Sequence, residues 1–463
     1  MLDYHSGGFM AICGVKFRAY PTKEQQKILS EWIGCARVIY NCKVAQDQRN
    51  YQEYKQTGVK SPVDQAYSHF KTPDKEWLKN CPSQILRNSS SNWYVAKQRF
   101  FKGLAKNPRK KKKGDRDTVL LTNELFSFKD KVNSDGVISK ALYIGTKTHP
   151  VGILNFTAHK EFGNPQQIVI GKKNGQWSVS FCYETEQELK TEQELLSHYS
   201  LYDEKSLTEV TVGIDRGVAI PFKTNKESQF DFDNNTKKSL SKKHLKLKKH
   251  QKRLHRQKNG SNSRNKTKRK IGKLHQKMAS IRHDFCHKVS NELALSSSKI
   301  FAVEDLKLKN MTKARKPKID ENGNYLPNKR AAKAGLNREL LSKGLAKTID
   351  FLEYKAKKYG KLVVKVSPQY SSQECANCGH THQDNRKTQA EFVCLSCGNH
   401  DNADNNAAKV IAKRGVQFLL SKPKAATRTR LGTSRSKVGR GICKTKLEKS
   451  DSQIPMTPEA LAL

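Results

Sequence analysis

The chain has 463 residues, with 88 Lys or Arg against 43 Asp or Glu, a formal net charge of +45. Its 35% hydrophobic content, with 18 Phe, 15 Tyr and 4 Trp, excludes wholesale disorder, and its length calls for two or three domains. No run of 18 apolar residues is present for a spanning helix, and the opening MLDYHSGGFM has neither the basic nor the apolar region of a secretory signal. The expectation is a cytoplasmic protein. A positive excess of this size opposes compaction unless a polyanion offsets it; nucleic acid is the commonest such partner, and an acidic membrane surface is the rival. The 11 cysteines are odd in number, and four of them form two tight pairs, which suits metal binding better than a disulfide framework.

In chain order, Val15-Lys16-Phe17-Arg18-Ala19-Tyr20 alternates apolar and basic side chains and stops at Pro21, the pattern of a short half-buried strand. Thr22 with Gln25 forms a capping-box signal, and Ile28, Leu29, Trp32, Ile33, Ala36, Ile39 and Tyr40 then recur at helical spacing. A second helix is expected from Gln84 to Leu104. Arg109, Lys110, Lys111, Lys112 and Lys113 follow as an exposed basic linker. Between Val119 and Glu184, short apolar or alternating runs broken by Gly, Asn and Pro predict a small antiparallel barrel. The polar stretch from Glu184 to Ser206 reads as an interdomain linker.

The texture then becomes α/β. Glu209 to Asp215 and Lys299 to Glu304 are β-rich runs that each end in a carboxylate. Between them, residues 237–290 hold 20 Lys or Arg against one acidic residue, Asp284, a local excess of +19. Leu240, Leu247 and Leu254 recur every seven residues, as do Ile271, Met278 and Phe285, with Leu274 and Ile281 interleaved and a turn signal at Asn259-Gly260-Ser261-Asn262. This predicts a helical hairpin with an apolar seam and basic outer faces. A helix from Asn337 to Tyr359 and a buried strand, Leu362 to Val366, come next. The last helix is expected from Asn405 to Leu420, and residues 421–463 read as a disordered basic tail.

Cys375, Cys378, Cys394 and Cys397 form a C-x2-C-x15-C-x2-C array, with Gly379 and Gly398 directly after each pair. Four thiolates so spaced make a closed structural Zn2+ site; His380, His382 and His400 are bystanders. Asp215, Glu304 and Asp404 are candidates for a second metal site. The first two lie at strand ends and the third in Asp401-Asn402-Ala403-Asp404-Asn405-Asn406-Ala407-Ala408, before the last helix. Carboxylates from separate elements can converge on a pair of Mg2+ ions that activate water against a phosphodiester. Asp401 competes with Asp404, and either could cap the helix. Tyr51, Tyr54, Trp77 and Trp93 could stack on bases, although core packing suits the tryptophans better.

These residues carry a family resemblance. Phe17-Arg18-Ala19-Tyr20-Pro21-Thr22-Lys23-Glu24-Gln25, Val212-Gly213-Ile214-Asp215-Arg216-Gly217, Arg282-His283-Asp284-Phe285-Cys286-His287-Lys288-Val289-Ser290, Ala302-Val303-Glu304-Asp305-Leu306, Ser367-Pro368-Gln369-Tyr370-Ser371-Ser372-Gln373-Glu374-Cys375 and Ala403-Asp404-Asn405-Asn406-Ala407-Ala408 resemble, in order and spacing, the TnpB (OrfB) family. These are transposon-encoded RNA-guided endonucleases related to type V CRISPR effectors. The resemblance spans roughly residues 11–420; the leader, 1–10, has no counterpart.

It implies a multidomain α+β protein. Residues 11–20 and 119–185 would form a β-barrel wedge domain interrupted by a helical recognition lobe, 21–118, with a linker at 186–206. An RNase H-like (RuvC) α/β nuclease domain, 207–420, would contain the basic hairpin, 237–290, and a zinc ribbon insert, 367–400. The implied catalytic and Mg2+-binding residues are Asp215, Glu304 and Asp404, and the implied partners are a guide RNA from the transposon end and a double-stranded DNA target bearing an adjacent motif. The charge pattern nominates Arg109, Lys110, Lys111, Lys112, Lys113, Lys248, Lys249, Arg253, Arg256, Lys268, Arg269 and Lys270 for nucleic-acid contact, in a cytoplasmic, nucleoid-associated protein. An RNA-guided repressor that does not cut and a transposase that joins DNA ends directly are the alternative functions.

Overall fold

A computed structural model describes residues 10–114, 117–132, 138–388 and 390–422. The expected leader, apart from Met10, and the expected tail, apart from its first two residues, lie outside them. The described chain divides into two compact units that meet in sequence at Gln187 and Glu188.

The N-terminal unit contains β1 (Met10–Ala19), α1 (Lys23–Thr57), α2 (Ser83–Phe101), β2 (Asp117–Thr122), β3 (Phe126–Val132), β4 (Ile138–Gly145), β5 (Pro150–Leu154), β6 (Phe156–Thr157), β7 (Gln167–Lys173) and β8 (Gln176–Glu188). The strands form two sheets, of order β2-β7-β8-β1-β6 and β3-β4-β5. Both supply one core, in which Phe17, Leu121, Ile168, Ile170 and Val179 from the first sheet meet Leu142 and Leu154 from the second. Asn174 and Gly175, both at positive φ, make the two-residue turn between β7 and β8, with Lys173 opposite Gln176; this backbone matches the twist of the flanking strands.

Helix α1 starts at the expected capping box, Thr22 with Gln25, and the Gln25 amide also donates to the carbonyls of Val151 and Ile153, at 3.2 and 2.8 Å. It ends at Gly58, in the left-handed conformation with φ +73°, where only glycine escapes steric cost. Lys43 is buried on this helix, donating to Gln46, Asp64 and the Ala66 carbonyl and lying over the Trp93 ring. Trp93 is therefore a core residue, whereas Trp77 is exposed.

The C-terminal unit begins with two short helices. The stretch expected as a linker, 186–206, instead carries α3 (Glu192–Tyr199) and the start of α4 (Glu204–Val210), and Leu195, Tyr199 and Leu207 are buried. Sparse apolar residues among many polar ones hid two short helices, although Thr191 and Glu194 form a capping box. The remaining elements are β9 (Thr211–Asp215), β10 (Phe222–Thr224), β11 (Gln229–Phe230), α5 (Asn234–Arg256), α6 (Asn262–Leu295), β12 (Ile300–Glu304), α7 (Leu308–Met311), β13 (Lys318–Ile319), β14 (Tyr325–Leu326), α8 (Arg330–Ser342), α9 (Leu345–Lys358), β15 (Leu362–Val366), β16 (Glu391–Val393), β17 (His400–Asn402) and α10 (Ala403–Leu420).

The central sheet has the order β11-β10-β9-β12-β15, with β9, β12 and β15 parallel. Side chains alternate between its faces. Val212, Ile214, Phe301 and Val303 pack with Val289 and Leu293 of α6 and Ile349 and Leu352 of α9. Ile300, Ala302, Leu362 and Val364 pack on the other face with Ile411 and Val416 of α10 and with Leu195 and Tyr199 of α3. Burial on both faces explains why Ile300, Phe301, Ala302 and Val303 form an unbroken apolar run.

In the α5–α6 hairpin, Leu247 and Met278 are the buried residues of the expected seam, and Leu240, Leu254, Ile271, Leu274 and Ile281 are half-buried. Phe285 leaves the seam to pack against Phe232, with 4.1 Å between ring centroids and the rings tilted by 30°. The last third of α6 is a core helix of the sheet, which is why it runs beyond the expected end at 290.

Candidate active site and cysteine cluster

Asp215 and Glu304 are the last residues of adjacent parallel strands. Because Val303 stands opposite Ile214, the next step places the two carboxylates side by side at one sheet end. Ile214 and Val303 face α6 and α9, so alternation turns Asp215 and Glu304 toward the face covered by α10.

Small residues bring that helix down. A Cβ on Gly213 would lie 2.1 Å from the Ala408 carbonyl oxygen, and one on Gly415 would lie 2.5 Å from the Ala302 methyl. Gly213, Ala302, Ala408, Ala412 and Gly415 thus form a slot in which α10 crosses β9 and β12 at close range. Its first turn carries Asp404.

The helix cap differs from both expected candidates. Asn402 caps α10, accepting from the amides of Asp404 and Asn405 at 3.1 and 3.2 Å. Asp401 is drawn away to Lys409, at 2.7 Å. Asp404 is met by the Arg386 guanidinium at 3.2 Å.

Glu304 is 7% exposed. Its Oε1 accepts from the Ser371 hydroxyl at 2.6 Å, and its backbone carbonyl accepts from Arg216. Burial, followed by the negative charges of Glu304 and Asp404, pushes the Asp215 carboxyl up to about 7. Three carboxylates thus share a site in which positive charge from Arg386 is insufficient to keep Asp215 readily ionised. Three carboxylates make an all-oxygen donor set of the kind a hard divalent cation such as Mg2+ takes, with Arg216 and Arg386 offsetting part of its charge.

The four cysteines come together by local folding. Their sulfurs all lie within 4.8 Å of one another, with Cys375 to Cys397 at 3.7 Å and Cys378 to Cys394 at 3.5 Å. Tetrahedral Zn–S bonds of ~2.3 Å require S···S spacings of about 3.8 Å, so the cluster fits structural Zn2+. Gly379 and Gly398, at φ +78° and +71°, turn the chain after each pair, and their amides return to the carbonyls of Cys375 and Cys394 at 2.9 and 3.0 Å. No histidine joins the cluster among the described residues. His380 stacks with His382, and His400 lies 3.0 Å from Glu391.

The nominated basic residues are all exposed. Lys248, Lys249, Arg253 and Arg256 lie on α5, and Lys268, Arg269 and Lys270 on α6. Arg109, Lys110, Lys111, Lys112 and Lys113 lie in the loop before β2; the Lys111 ammonium sits 3.7 Å from the Tyr40 ring centroid. Sequence reasoning missed Arg386, Ser371 and Arg216. Nothing in their local spacing marks them, because each meets its carboxylate residue only through the tertiary fold.

Three family models match the chain: "Helix-turn-helix domain" of OrfB_IS605 over residues 10–56, "Probable transposase" (OrfB_IS605) over 180–315, and "Cas12f1-like, TNB domain" over 346–411. A protein of Escherichia coli (strain K12) named "Putative RNA-guided DNA endonuclease InsQ" is 30% identical over 87% of this chain and 92% of its own length. The "CRISPR-associated endodeoxyribonuclease Cas12f1" of Sulfoacidibacillus thermotolerans is 44% identical over 68 residues, 15% of this chain and 16% of that protein. The fold is shared with the protein in a cryo-EM structure of a Cas12f1–sgRNA–target DNA complex, at a TM-score of 0.50 and 15% identity over 87% of this chain and 99% of that one. With its carboxylate cluster and cysteine array on a chain similar to InsQ along nearly its whole length, the protein belongs to the TnpB (OrfB) family.

Proposed function

We propose that the protein is an RNA-guided DNA endonuclease of a mobile element, with a RuvC-like, RNase H-type nuclease domain at residues 207–420 that cuts DNA by two-metal-ion hydrolysis. The observation that carries this reading is the convergence of Asp215, Glu304 and Asp404 at one end of the sheet. The names of its relatives support the RNA-guided activity. In this reading, residues 11–20 and 119–185 form the wedge domain, residues 21–118 the recognition lobe, and residues 367–400 a zinc ribbon. The partners are a guide RNA copied from the transposon end and a double-stranded target, met in the cytoplasm at the nucleoid.

Divalent cations held by Asp215, Glu304 and Asp404, two Mg2+ in this assignment, would supply water activation and charge stabilisation for in-line hydrolysis. The chain's own residues do the rest. Arg386 offsets part of the charge on Asp404 and brings a guanidinium to the cluster, where it favours approach of an anionic phosphodiester. The exposed cations of α5 and α6 hold nucleic-acid backbone without reading bases, while pairing between guide and target carries the sequence. The retained carboxylates favour cutting over a repressor that only binds.

The test is to sequence the RNA that co-purifies with the protein and to rebuild the complex on a matched, labelled duplex with Mg2+. A discrete RNA with a constant scaffold and a variable end, together with cleavage that requires it, is expected. Cleavage or strand joining without RNA would overturn the guide model.

A further inference from the structure

Between β15 and the first cysteine pair lies a segment, residues 367–376, that touches the elements carrying two of the three carboxylates. Tyr370 sits in it at φ +56°, a left-handed conformation costly for a non-glycine residue. Its carbonyl accepts from the amides of Gln373 and Glu374, at 2.8 and 2.9 Å. The reversal at Tyr370 is followed at once by Ser371, which is buried and directed at Glu304 Oε1. The Ser371 hydroxyl also lies 3.2 Å from the Pro368 carbonyl, but it has one proton to give, and the shorter, charge-assisted contact with the carboxylate wins it.

The same segment is latched to α10. Asn406 is fully buried; its amide donates to the Glu374 carbonyl at 2.7 Å and accepts from the Ala376 amide at 2.9 Å. Further along the helix, Arg414 donates to the Ser367 carbonyl at 2.6 Å and pairs with the Glu374 carboxylate. Cys375, a member of the sulfur cluster, lies between the two backbone groups that Asn406 holds.

We infer that residues 367–376 are a positioning strap for the carboxylate site. Ser371 sets the orientation of Glu304, and Asn406 ties the helix that carries Asp404 to the first cysteine knuckle. Ser371 holds Oε1 and leaves Oε2 for a cation. The cysteine cluster thereby acts on the carboxylate site by fixing the strap. The inference rests on the reading of Asp215, Glu304 and Asp404 as a cation site.

The experiment titrates full-length, zinc-loaded protein with Mn2+ by calorimetry and, in parallel, measures the Mg2+ dependence of cleavage by the guide complex. Ser371→Ala and the near-isosteric Ser371→Cys, a poor donor, should each weaken Mn2+ binding about 10- to 100-fold, the range for a lost partner of a metal ligand. Zinc content should stay unchanged, and Ser371→Thr should restore binding. Asn406→Ala should weaken Mn2+ binding in the same direction with zinc retained. A Ser371→Ala protein that melts earlier yet binds Mn2+ within about twofold of wild type would assign Ser371 a merely structural role and overturn the strap. If Glu304→Ala itself left Mn2+ binding intact, the cation-site reading would fall, and the strap with it.

Discussion

The C-terminal unit contains two side-chain clusters built in opposite ways, the four cysteines and the carboxylates proposed as a cation site. The cysteine cluster is local: two four-residue knuckles, each closed by a glycine at positive φ, bring their thiols together across a gap of fifteen residues. The carboxylate cluster is global: its members lie on β9, β12 and α10, separated in sequence by the basic hairpin and by the cysteine array itself. The first is assembled by turn chemistry, the second by sheet register and by a slot of small residues under α10. A site of the second kind buries like charges that the fold must hold together, and the raised pKa of Asp215 follows first from that burial and then from the charges of Glu304 and Asp404.

This contrast predicts effects of different size and kind. Cys394→Ser, which removes one of four thiolates, should have the largest effect on folding, lowering bound zinc below one ion per chain and destabilising the C-terminal unit by several kcal/mol; unchanged zinc content and melting temperature would show that the four cysteines hold no structural metal. Asp215→Asn should act the other way on stability. The pKa of Asp215 in the folded protein lies above its ordinary 3.8, at about 7, so its contribution is fully present below about pH 4 and is lost as pH rises through about 7. In zinc-loaded protein without added Mg2+, the Asn variant should therefore be more stable than wild type at about pH 8, by on the order of a few kcal/mol, and melt level with it near pH 4. A thermal melt series across that range checks this, and equal melting at pH 8 would show that neither burial nor the neighbouring carboxylates penalise a charged Asp215.

The smallest effect should come from the outer face of the hairpin. Replacing Lys248 and Lys249 together by Ala removes two exposed charges from α5. It should leave the fold intact, weaken nucleic-acid binding regardless of sequence, and shallow the salt dependence on duplex DNA by at most about two in the log–log slope. An unchanged slope would remove these lysines from the binding face.

The same contrast governs what the sequence made legible. The cysteine spacing, the Thr22–Gln25 capping box and the two β-runs ending in Asp215 and Glu304 are local or periodic signals, and they identified their elements directly. Asp404 was separable from Asp401 only by its nearness to the apolar helix, and the actual cap, Asn402, was overlooked because any of these residues can accept from a helix N-terminus. The helices at α3 and α4 were read as linker because Leu195, Tyr199 and Leu207 are spaced too thinly to show a stripe, yet each is buried once the sheet is present. Arg386, Ser371 and Asn406 could not be found by spacing at all, since their partners lie 18, 67 and 30 or 32 residues away.

If the three gathered carboxylates are a nuclease centre on a nucleic-acid-binding scaffold, as proposed, Asp215→Ala in the reconstituted guide complex separates cutting from binding, with cleavage of a matched, labelled duplex in Mg2+ measured beside target binding. Cleavage should fall by about a thousandfold or more, while guide and target binding remain within about twofold of wild type; cutting at the wild-type rate would contradict the account.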